Sequence, residues 1–136
     1  MNILIYDEDT ASGIISEFRE RLQSLNENAI QVADWRLIEE KIKTFKPNAF
    51  IIDLMIPPVD LPTDDCGAGY TTGAYVYKTH IHPHSAGTPF VIFTAADIGT
   101  SRISQAIQSL KGYREFRGIF EKGEDAEVVL KALTEK

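Results

Sequence analysis

The chain has 136 residues, the length of one globular domain, and its 43% hydrophobic and 25% charged residues exclude a disordered, collagen-like or coiled-coil protein. Lys and Arg number 14 against 20 Asp and Glu, so the formal net charge is −6, which argues against direct binding to nucleic acid or to an anionic membrane. The apolar start, residues 3–6, is too short for a signal peptide or a membrane span.

A single cysteine, Cys66, bears on the cellular compartment. One cysteine cannot form an intrachain disulfide, so the sequence predicts a protein of the reducing cytoplasm. Cys66 lies in a stretch rich in Gly, Pro and Asp, which predicts an exposed thiol without special reactivity.

Short apolar runs alternate with helix-like stretches along the chain. Continuous rather than alternating apolar runs are typical of strands that are covered on both faces of a parallel sheet. The predicted strands are residues 3–6, 29–33, 49–52, 89–93 and 118–120. Helical spacing of apolar residues and flanking turn signals predict helices over about 14–25, 37–45, 73–81 and 101–110, and a last one that begins at Asp125.

This βαβαβαβαβα order predicts an α/β fold, a single doubly wound (βα)5 domain with a five-stranded parallel sheet. The domain is expected to cover residues 1–136, with a long loop at about 54–72 after the third strand and a second extended segment at 110–118. No helix-turn-helix and no basic stretch follow the fifth strand, so no output domain is predicted.

Polar side chains that carry chemistry follow the ends of the predicted strands. In an open α/β sheet, ligands bind outside the carboxyl ends of the strands. Crowded carboxylates there repel one another unless a cation intervenes, and oxygen ligands suit Mg²⁺. With an ammonium and a hydroxyl alongside, such a site is suited to a phosphoryl group. The residues are Asp7, Glu8 and Asp9 after the first strand, Asp53 after the third, Thr94 in the fourth and Lys122 after the fifth.

Four segments in this order carry a resemblance to a known family. Together they resemble a response-regulator receiver domain of two-component signalling, over essentially the whole chain, and imply a flavodoxin-like fold. The segments are ILIYDE at residues 3–8, IIDLMIP at 51–57, VIFTA at 91–95 and FEK at 120–122.

The resemblance implies a phosphorelay function centred on Asp53. Asp53 matches the phosphoacceptor, which takes a phosphoryl group from a histidine kinase or a phosphotransfer protein. Thr94 matches the hydroxyl residue that turns toward the phosphoryl group, and Lys122 matches the lysine that pairs with the acceptor and then with the phosphate. Positioning and charge neutralisation must supply most of the catalysis, because a carboxylate is a weak nucleophile.

The resemblance also implies a bound Mg²⁺. Asp7 and Glu8 match the acidic pair that holds the ion, with Asp53 and the backbone carbonyl of Met55 as further ligands. Asp9 is a rival for the second position of the pair, because aligning Glu8 and Asp9 shifts the strand by one residue. Four apolar residues precede Asp7 as they do in the family, which favours Asp7 and Glu8.

The resemblance extends to partners. A receiver domain passes a conformational signal to a downstream protein, here unknown, and many receivers pair through their fourth and fifth helices, so a homodimer is expected by analogy only. No direct contact with nucleic acid or membrane is expected. Beyond its own phosphorylation and autodephosphorylation, the domain is not expected to be an enzyme.

Several positions depart from the family pattern. Gly123 stands where the family has a proline after the lysine, and Ile119 stands at the position of the aromatic switch residue, while Phe120 is expected on the opposite face of the strand. Met55 and Ala96 occupy the two positions that tune phosphate lifetime, and neither side chain can orient an attacking water. The sequence therefore predicts slow autodephosphorylation of Asp53.

Two alternatives stay open. A pseudo-receiver with the same fold would act as an interaction module without phosphorylation, as the altered switch position and the long loop suggest. A phosphatase of the haloacid-dehalogenase type would use Asp7 as nucleophile and Asp9 as acid and base. Against it, Ala11 stands where that motif has Thr or Val, and Asp53 would have no role.

The three histidines of the chain form a His-x-His-x-His pattern at residues 80–84. Imidazoles suit Zn, Cu and Ni, but Pro83 interrupts the spacing. The pattern is interpreted as the frayed end of a helix rather than a metal site.

Overall fold

A five-stranded parallel sheet forms the centre of the computed structural model, which describes residues 1–135. Its strand order is β2-β1-β3-β4-β5, as expected for the predicted α/β fold. The strands are β1 Asn2–Tyr6, β2 Asn28–Val32, β3 Ala49–Ile52, β4 Phe90–Thr94 and β5 Phe116–Glu121. The α-helices are α1 Ile14–Ser24, α2 Ile38–Phe45, α3 Thr72–Val76, α4 Ser101–Lys111 and α5 Ala126–Thr134.

The central strands are apolar throughout because helices cover both faces of the sheet. Leu4 and Tyr6 in β1 point into a core with α2, α3 and α4, whereas Ile3 and Ile5 point into a second core with α1 and α5. Each such side chain, when fully buried, stabilises the fold by about 1.5–3 kcal/mol. The continuous apolar runs in the sequence thus report two-sided burial.

The same alternation settles the two faces of β5. Ile119 packs against the core that contains α4, and Phe120 packs against the core that contains α5. The prediction that these neighbours face opposite ways is confirmed.

Two helices begin as their capping residues dictate. The Asp125 carboxylate accepts the backbone N–H of Glu127 at 2.8 Å, which confirms Asp125 as the start of α5. A 3₁₀ turn, Trp35–Leu37, leads into α2, and its N-cap Asp34 accepts the backbone N–H of Arg36 at 3.0 Å.

The helix predicted at 73–81 is present but irregular. After α3, the chain continues as a π-helical turn, Tyr77–Ile81, and then as a 3₁₀ turn, His82–His84. The histidines therefore belong to ordered helical turns, and the prediction of a frayed end is wrong. π-turns inside helices relocate side chains without ending the helix.

The segment between β3 and α3, residues 53–71, contains a 3₁₀ turn at Gly67–Gly69 and folds back onto the protein. Leu54, Ile56, Leu61 and Cys66 from this loop join the core that contains α2 and α3. Cys66 is completely buried, so the predicted exposed thiol is wrong. The other predicted extension, at 110–118, is also wrong, because only residues 112–115 separate α4 from β5.

Within residues 1–135, none of the helices is both long enough and apolar enough to span a bilayer.

Candidate functional site

The candidate site lies at the carboxyl ends of β1 and β3. These strands are neighbours, with Tyr6 opposite Ile52, and one residue further on stand Asp7 and Asp53. The Asp53 backbone N–H donates to the Tyr6 carbonyl at 3.0 Å, which continues the ladder and holds the two strand ends together. The crevice forms here because α1 and α3, the helices that follow the neighbouring strands β1 and β3, pack on opposite faces of the sheet.

Lys122 joins the two aspartates. Its Nζ lies 2.9 Å from Asp7 Oδ2 and 3.1 Å from Asp53 Oδ2, and its side chain is 10% exposed. The Lys122 backbone N–H donates to the Thr94 carbonyl at 3.0 Å, which fixes the end of β5 against β4. Three of the residues predicted from the sequence, far apart along the chain, thus form one buried ionic cluster.

One ammonium in this cluster faces two carboxylates, and the pKa values reflect that imbalance. Burial raises the pKa of Asp7 above its ordinary value, although hydrogen bonds from Lys122 and Asp9 oppose this. Burial alone would lower the pKa of Lys122, but the hydrogen bond to Asp7 and the charges of both aspartates leave it raised. With all three groups ionised, the cluster keeps one excess negative charge, which favours a further cation.

Asp53 carries a buried carboxylate oxygen without a partner. The residue is 5% exposed, and its Oδ2 accepts from Lys122, whereas Oδ1 has no hydrogen bond to any part of the described chain. Leaving a buried acceptor unsatisfied costs about 1–3 kcal/mol. This oxygen is therefore poised to bind an added group.

The carboxylate oxygens of the cluster are suitable ligands for Mg²⁺, although the protein supplies few of them. Among residues 1–135, no group of three His, Cys, Asp or Glu side chains is placed to hold a metal ion. Mg²⁺ commonly keeps several waters and binds through one or two carboxylates together with a phosphate. The neighbouring carboxylates of Asp7 and Asp53 match that requirement.

Glu8 and Asp9 do not join the ionic cluster. The Glu8 side chain is exposed and lines a separate cleft beside Tyr6. The Asp9 carboxylate accepts the backbone N–H groups of Ala11 and Ser12 at 3.1 and 3.0 Å, and hydrogen bonding to Ser12 lowers its pKa. Asp9 is thus engaged in ordering the loop before α1.

Thr94 and Met55 are the two remaining site residues predicted from the sequence. Thr94 is buried at the end of β4, where its Oγ1 accepts the Ala96 backbone N–H at 3.2 Å and its own hydroxyl proton is left free to donate. In the described residues no hydrogen bond joins Thr94 to Asp53. Met55 follows Asp53 by two positions and has a 40% exposed side chain.

Gly73 is a positioning residue that the sequence analysis missed. A Cβ atom at this position would lie 1.8 Å from the Asp53 carbonyl oxygen, and the Gly73 N–H donates to the Leu54 carbonyl at 3.0 Å. Only glycine allows the first turn of α3 to approach the backbone of Asp53 and Leu54 so closely. The available signal was a glycine near a helix start, where it lowers helix propensity.

Comparisons with known proteins bear on the fold. No protein-family model matches the chain, and no curated protein is similar enough in sequence to match it. A CheY-like response-regulator receiver domain protein from Methanospirillum hungatei superposes with a TM-score of 0.69 and 18% identity, over 96% of this chain and 87% of that chain. The BeF3-activated N-terminal receiver domain of Klebsiella pneumoniae RstA superposes with a TM-score of 0.67 and 20% identity, over 98% and 95%.

A chemotaxis protein of Vibrio cholerae is similar as well, with a TM-score of 0.62 and 17% identity over 97% of this chain and 94% of that chain. At such low identities these similarities establish the fold. The chain therefore has the fold of response-regulator receiver domains, and the predicted flavodoxin-like architecture is confirmed.

Proposed function

We propose that the chain is a phosphoacceptor receiver of a two-component phosphorelay, in which Asp53 takes a phosphoryl group with the help of Mg²⁺. The observation that carries the proposal is the state of the Asp53 carboxylate. One oxygen is held by Lys122 at 3.1 Å, and the other is buried without a partner. A carboxylate held at one oxygen and free at the other is prepared for in-line attack.

In the proposed step, the free Asp53 oxygen attacks the phosphorus of a phosphohistidine on a histidine kinase or phosphotransfer protein. The O–P bond forms as the P–N bond breaks, and the imidazole leaves with the electron pair and takes a proton from solvent. The Lys122 ammonium, which donates to the Asp53 carboxylate in the free protein, would then donate to the phosphoryl oxygens, and the Thr94 hydroxyl would donate to one of these oxygens.

Asp7 and Asp53 would hold Mg²⁺, with the Met55 carbonyl as a further ligand. When bound, the ion neutralises the phosphoryl oxygens, which the carboxylate cluster would otherwise repel. We place this exchange in the cytoplasm and expect the signal to reach a downstream protein. The domain catalyses only its own phosphorylation and dephosphorylation.

The test is the intact mass of the protein after incubation with acetyl phosphate and Mg²⁺. The wild-type chain is expected to gain one phosphoryl group, and the gain is expected to vanish with EDTA. Asp53→Ala is expected to stay unmodified under the same conditions. A phosphorylated Asp53→Ala variant, or a wild-type chain that gains no mass, would overturn the proposal.

A phosphorylation-independent pseudo-receiver is the second candidate, and the position of Glu8 favours it. This side chain lines a neighbouring cleft, so the cluster has two carboxylates rather than three. If the pseudo-receiver is correct, beryllofluoride with Mg²⁺ will leave Trp35 fluorescence and partner binding unchanged. A saturable change in either measurement supports the phosphoacceptor instead.

A further inference from the structure

A small cleft of about 220 Å³ opens beside the ionic cluster. It lies between the end of β1, the turn before α2 and the loop after Asp53. Its lining includes none of Asp7, Asp53 and Lys122, so the cleft and the ionic cluster are separate places. The lining residues include Tyr6, Glu8, Asp34, Trp35, Ile56 and Val59.

The wall of the cleft is fixed by a contact between two elements. The Trp35 indole N–H donates to the Val59 carbonyl at 2.6 Å, which ties the long loop to the turn before α2. Trp35 also packs against the core that contains α2, and Ile56 is buried in that core. The apolar side of the cleft is therefore preformed.

The Tyr6 hydroxyl is a buried polar group without a partner. Tyr6 is completely buried, and its hydroxyl oxygen has no hydrogen bond to any atom of residues 1–135. Native proteins seldom leave such a group unpaired, and the exceptions call for an explanation such as an absent ligand.

The cleft also carries excess negative charge. Arg36 is occupied by two carboxylates, with Nη2 2.9 Å from Asp34 Oδ2 and Nη1 3.1 Å from Asp60 Oδ2. Glu8 forms no ion pair within the part of the chain that the structure describes. Of the residues that line the cleft, Glu8 and Asp34 are acidic and Arg36 is basic, and this surplus of one negative charge favours a positively charged ligand.

We propose that this cleft binds a small organic cation, a primary ammonium carried on a short apolar body. Glu8 would pair with the ammonium, the Tyr6 hydroxyl would hydrogen-bond to it, and Trp35 and Ile56 would pack against the apolar body. Drug-sized ligands occupy about 300–1,000 Å³, so a cleft of about 220 Å³ limits the ligand to a single ring or a short chain. The proposal does not depend on phosphorylation of Asp53.

Trp35, the one tryptophan of the chain, supplies the readout. The wild-type protein in EDTA is titrated with benzylammonium, and both Trp35 fluorescence and the indole N–H signal in NMR are followed. A saturable change is expected, with benzyl alcohol, which matches the shape but lacks the charge, binding about tenfold more weakly. Asp53→Asn is expected to bind as the wild type does.

Three variants separate the contributions. Glu8→Gln is expected to weaken benzylammonium binding about tenfold, whereas Glu20→Gln, which removes an equal charge from the exposed side of α1, is expected to leave it unchanged. Tyr6→Phe is expected to weaken binding about threefold without lowering the melting temperature, because the hydroxyl has no partner in the free protein.

Each other outcome overturns the proposal. Benzyl alcohol binding as tightly as benzylammonium would show that charge is not recognised. Equal losses in Glu8→Gln and Glu20→Gln would reduce the effect to net charge. A lower melting temperature for Tyr6→Phe would show that the hydroxyl already has a structural role, and an absence of saturable binding would show that the cleft takes no such cation.

Discussion

The ammonium of Lys122 lies as close to Asp7 as to Asp53, at 2.9 and 3.1 Å from the two nearest carboxylate oxygens. The lysine therefore bridges the ends of β1 and β3 rather than pairing with the acceptor alone. Two buried carboxylates therefore share a single positive charge, and this excess of negative charge is unfavourable to the folded protein. Its consequences can be measured in both stability and reactivity.

Asp7→Asn is expected to stabilise the fold by about 1 kcal/mol at pH 7 while abolishing Mg²⁺-dependent phosphorylation. The pKa of Asp7 is raised by burial, so its ionisation is disfavoured in the folded state relative to an unfolded pKa of about 3.9. This destabilisation by Asp7 is absent below the pKa of Asp7 in the unfolded chain. It develops as pH rises from that value through the higher pKa of Asp7 in the folded protein, and above that pKa it is complete.

Urea unfolding of the wild type and of Asp7→Asn across the acidic range measures this effect. The advantage of the variant is expected to grow as pH rises and then level off. A variant that is less stable than the wild type at pH 7 would show that the Lys122–Asp7 pair outweighs the burial of the carboxylate.

Lys122→Met is expected to destabilise the protein by about 3 kcal/mol at pH 7, because it leaves two buried carboxylates without their cation. The loss is expected to shrink at low pH as Asp7, whose pKa is raised, takes up a proton, and Asp7→Asn in the same chain is expected to recover part of it. In the wild type, the raised pKa of Lys122 implies a stabilising contribution that is complete below about pH 10 and is lost as pH rises through the folded value.

Thermal unfolding of the single and double variants in a mutant cycle checks this coupling. If the effects of the two substitutions on the free energy of unfolding were simply additive in the double variant, Lys122 and Asp7 would contribute independently, contrary to the geometry. Lys122→Arg is the matched control, because it keeps the charge but changes the shape of the donor group.

The sequence was sufficient to predict the sheet and the ionic cluster because both follow from local patterns. Continuous apolar runs marked the buried strands, and Asp7, Asp53 and Lys122 each stand directly beyond a strand end. Parallel strands bring their carboxyl ends to one edge, so residues far apart in the chain meet there.

The errors arose where tertiary packing overrides local composition. Cys66 lies among glycines and aspartates, yet the loop folds back and buries it in the core beside Leu54 and Ile56. The close approach of Gly73 to Asp53 likewise depends on how α3 packs against the backbone that follows β3. No local sequence pattern predicts that packing.

His82 and Glu115 provide a prediction away from the candidate site, since Glu115 directly precedes the start of β5. His82 Nε2 lies 3.1 Å from Glu115 Oε2, and Glu115 is 4% exposed, so removing the imidazole leaves a buried carboxylate short of a partner. His82→Ala is expected to lower the free energy of unfolding by about 1–3 kcal/mol. His84→Ala, whose partner Glu39 is exposed, is the matched control and is expected to cost at most about 1 kcal/mol.

Equilibrium urea unfolding of both histidine variants decides the matter. Equal effects of the two substitutions would contradict the structural role assigned to the His82–Glu115 contact and would revive the interpretation of this segment as a frayed helix end.

The lifetime of phospho-Asp53 is expected to be long, on the order of minutes or more at 25 °C, because neither Met55 nor Ala96 offers a polar group to orient an attacking water. Phosphorylated protein, freed of acetyl phosphate by gel filtration, is followed by intact mass over time. Ala96→Glu, which supplies a carboxylate at one of these positions, is expected to shorten the lifetime. A wild-type half-life of seconds would contradict this prediction.

Gly73→Ala is expected to destabilise the protein by about 1–3 kcal/mol or more, as at other overpacked sites. It is also expected to slow phosphorylation of Asp53. The added methyl would lie 1.8 Å from the Asp53 carbonyl oxygen, so either α3 or the backbone at Asp53 and Leu54 must move. Gly112→Ala is the matched control, because its Cβ would meet nothing nearer than the Ser109 carbonyl at 3.6 Å. Urea unfolding and the rate of phosphorylation by acetyl phosphate are compared for the two variants. A Gly73→Ala variant that is as stable and as reactive as Gly112→Ala would show that the contact does not position Asp53.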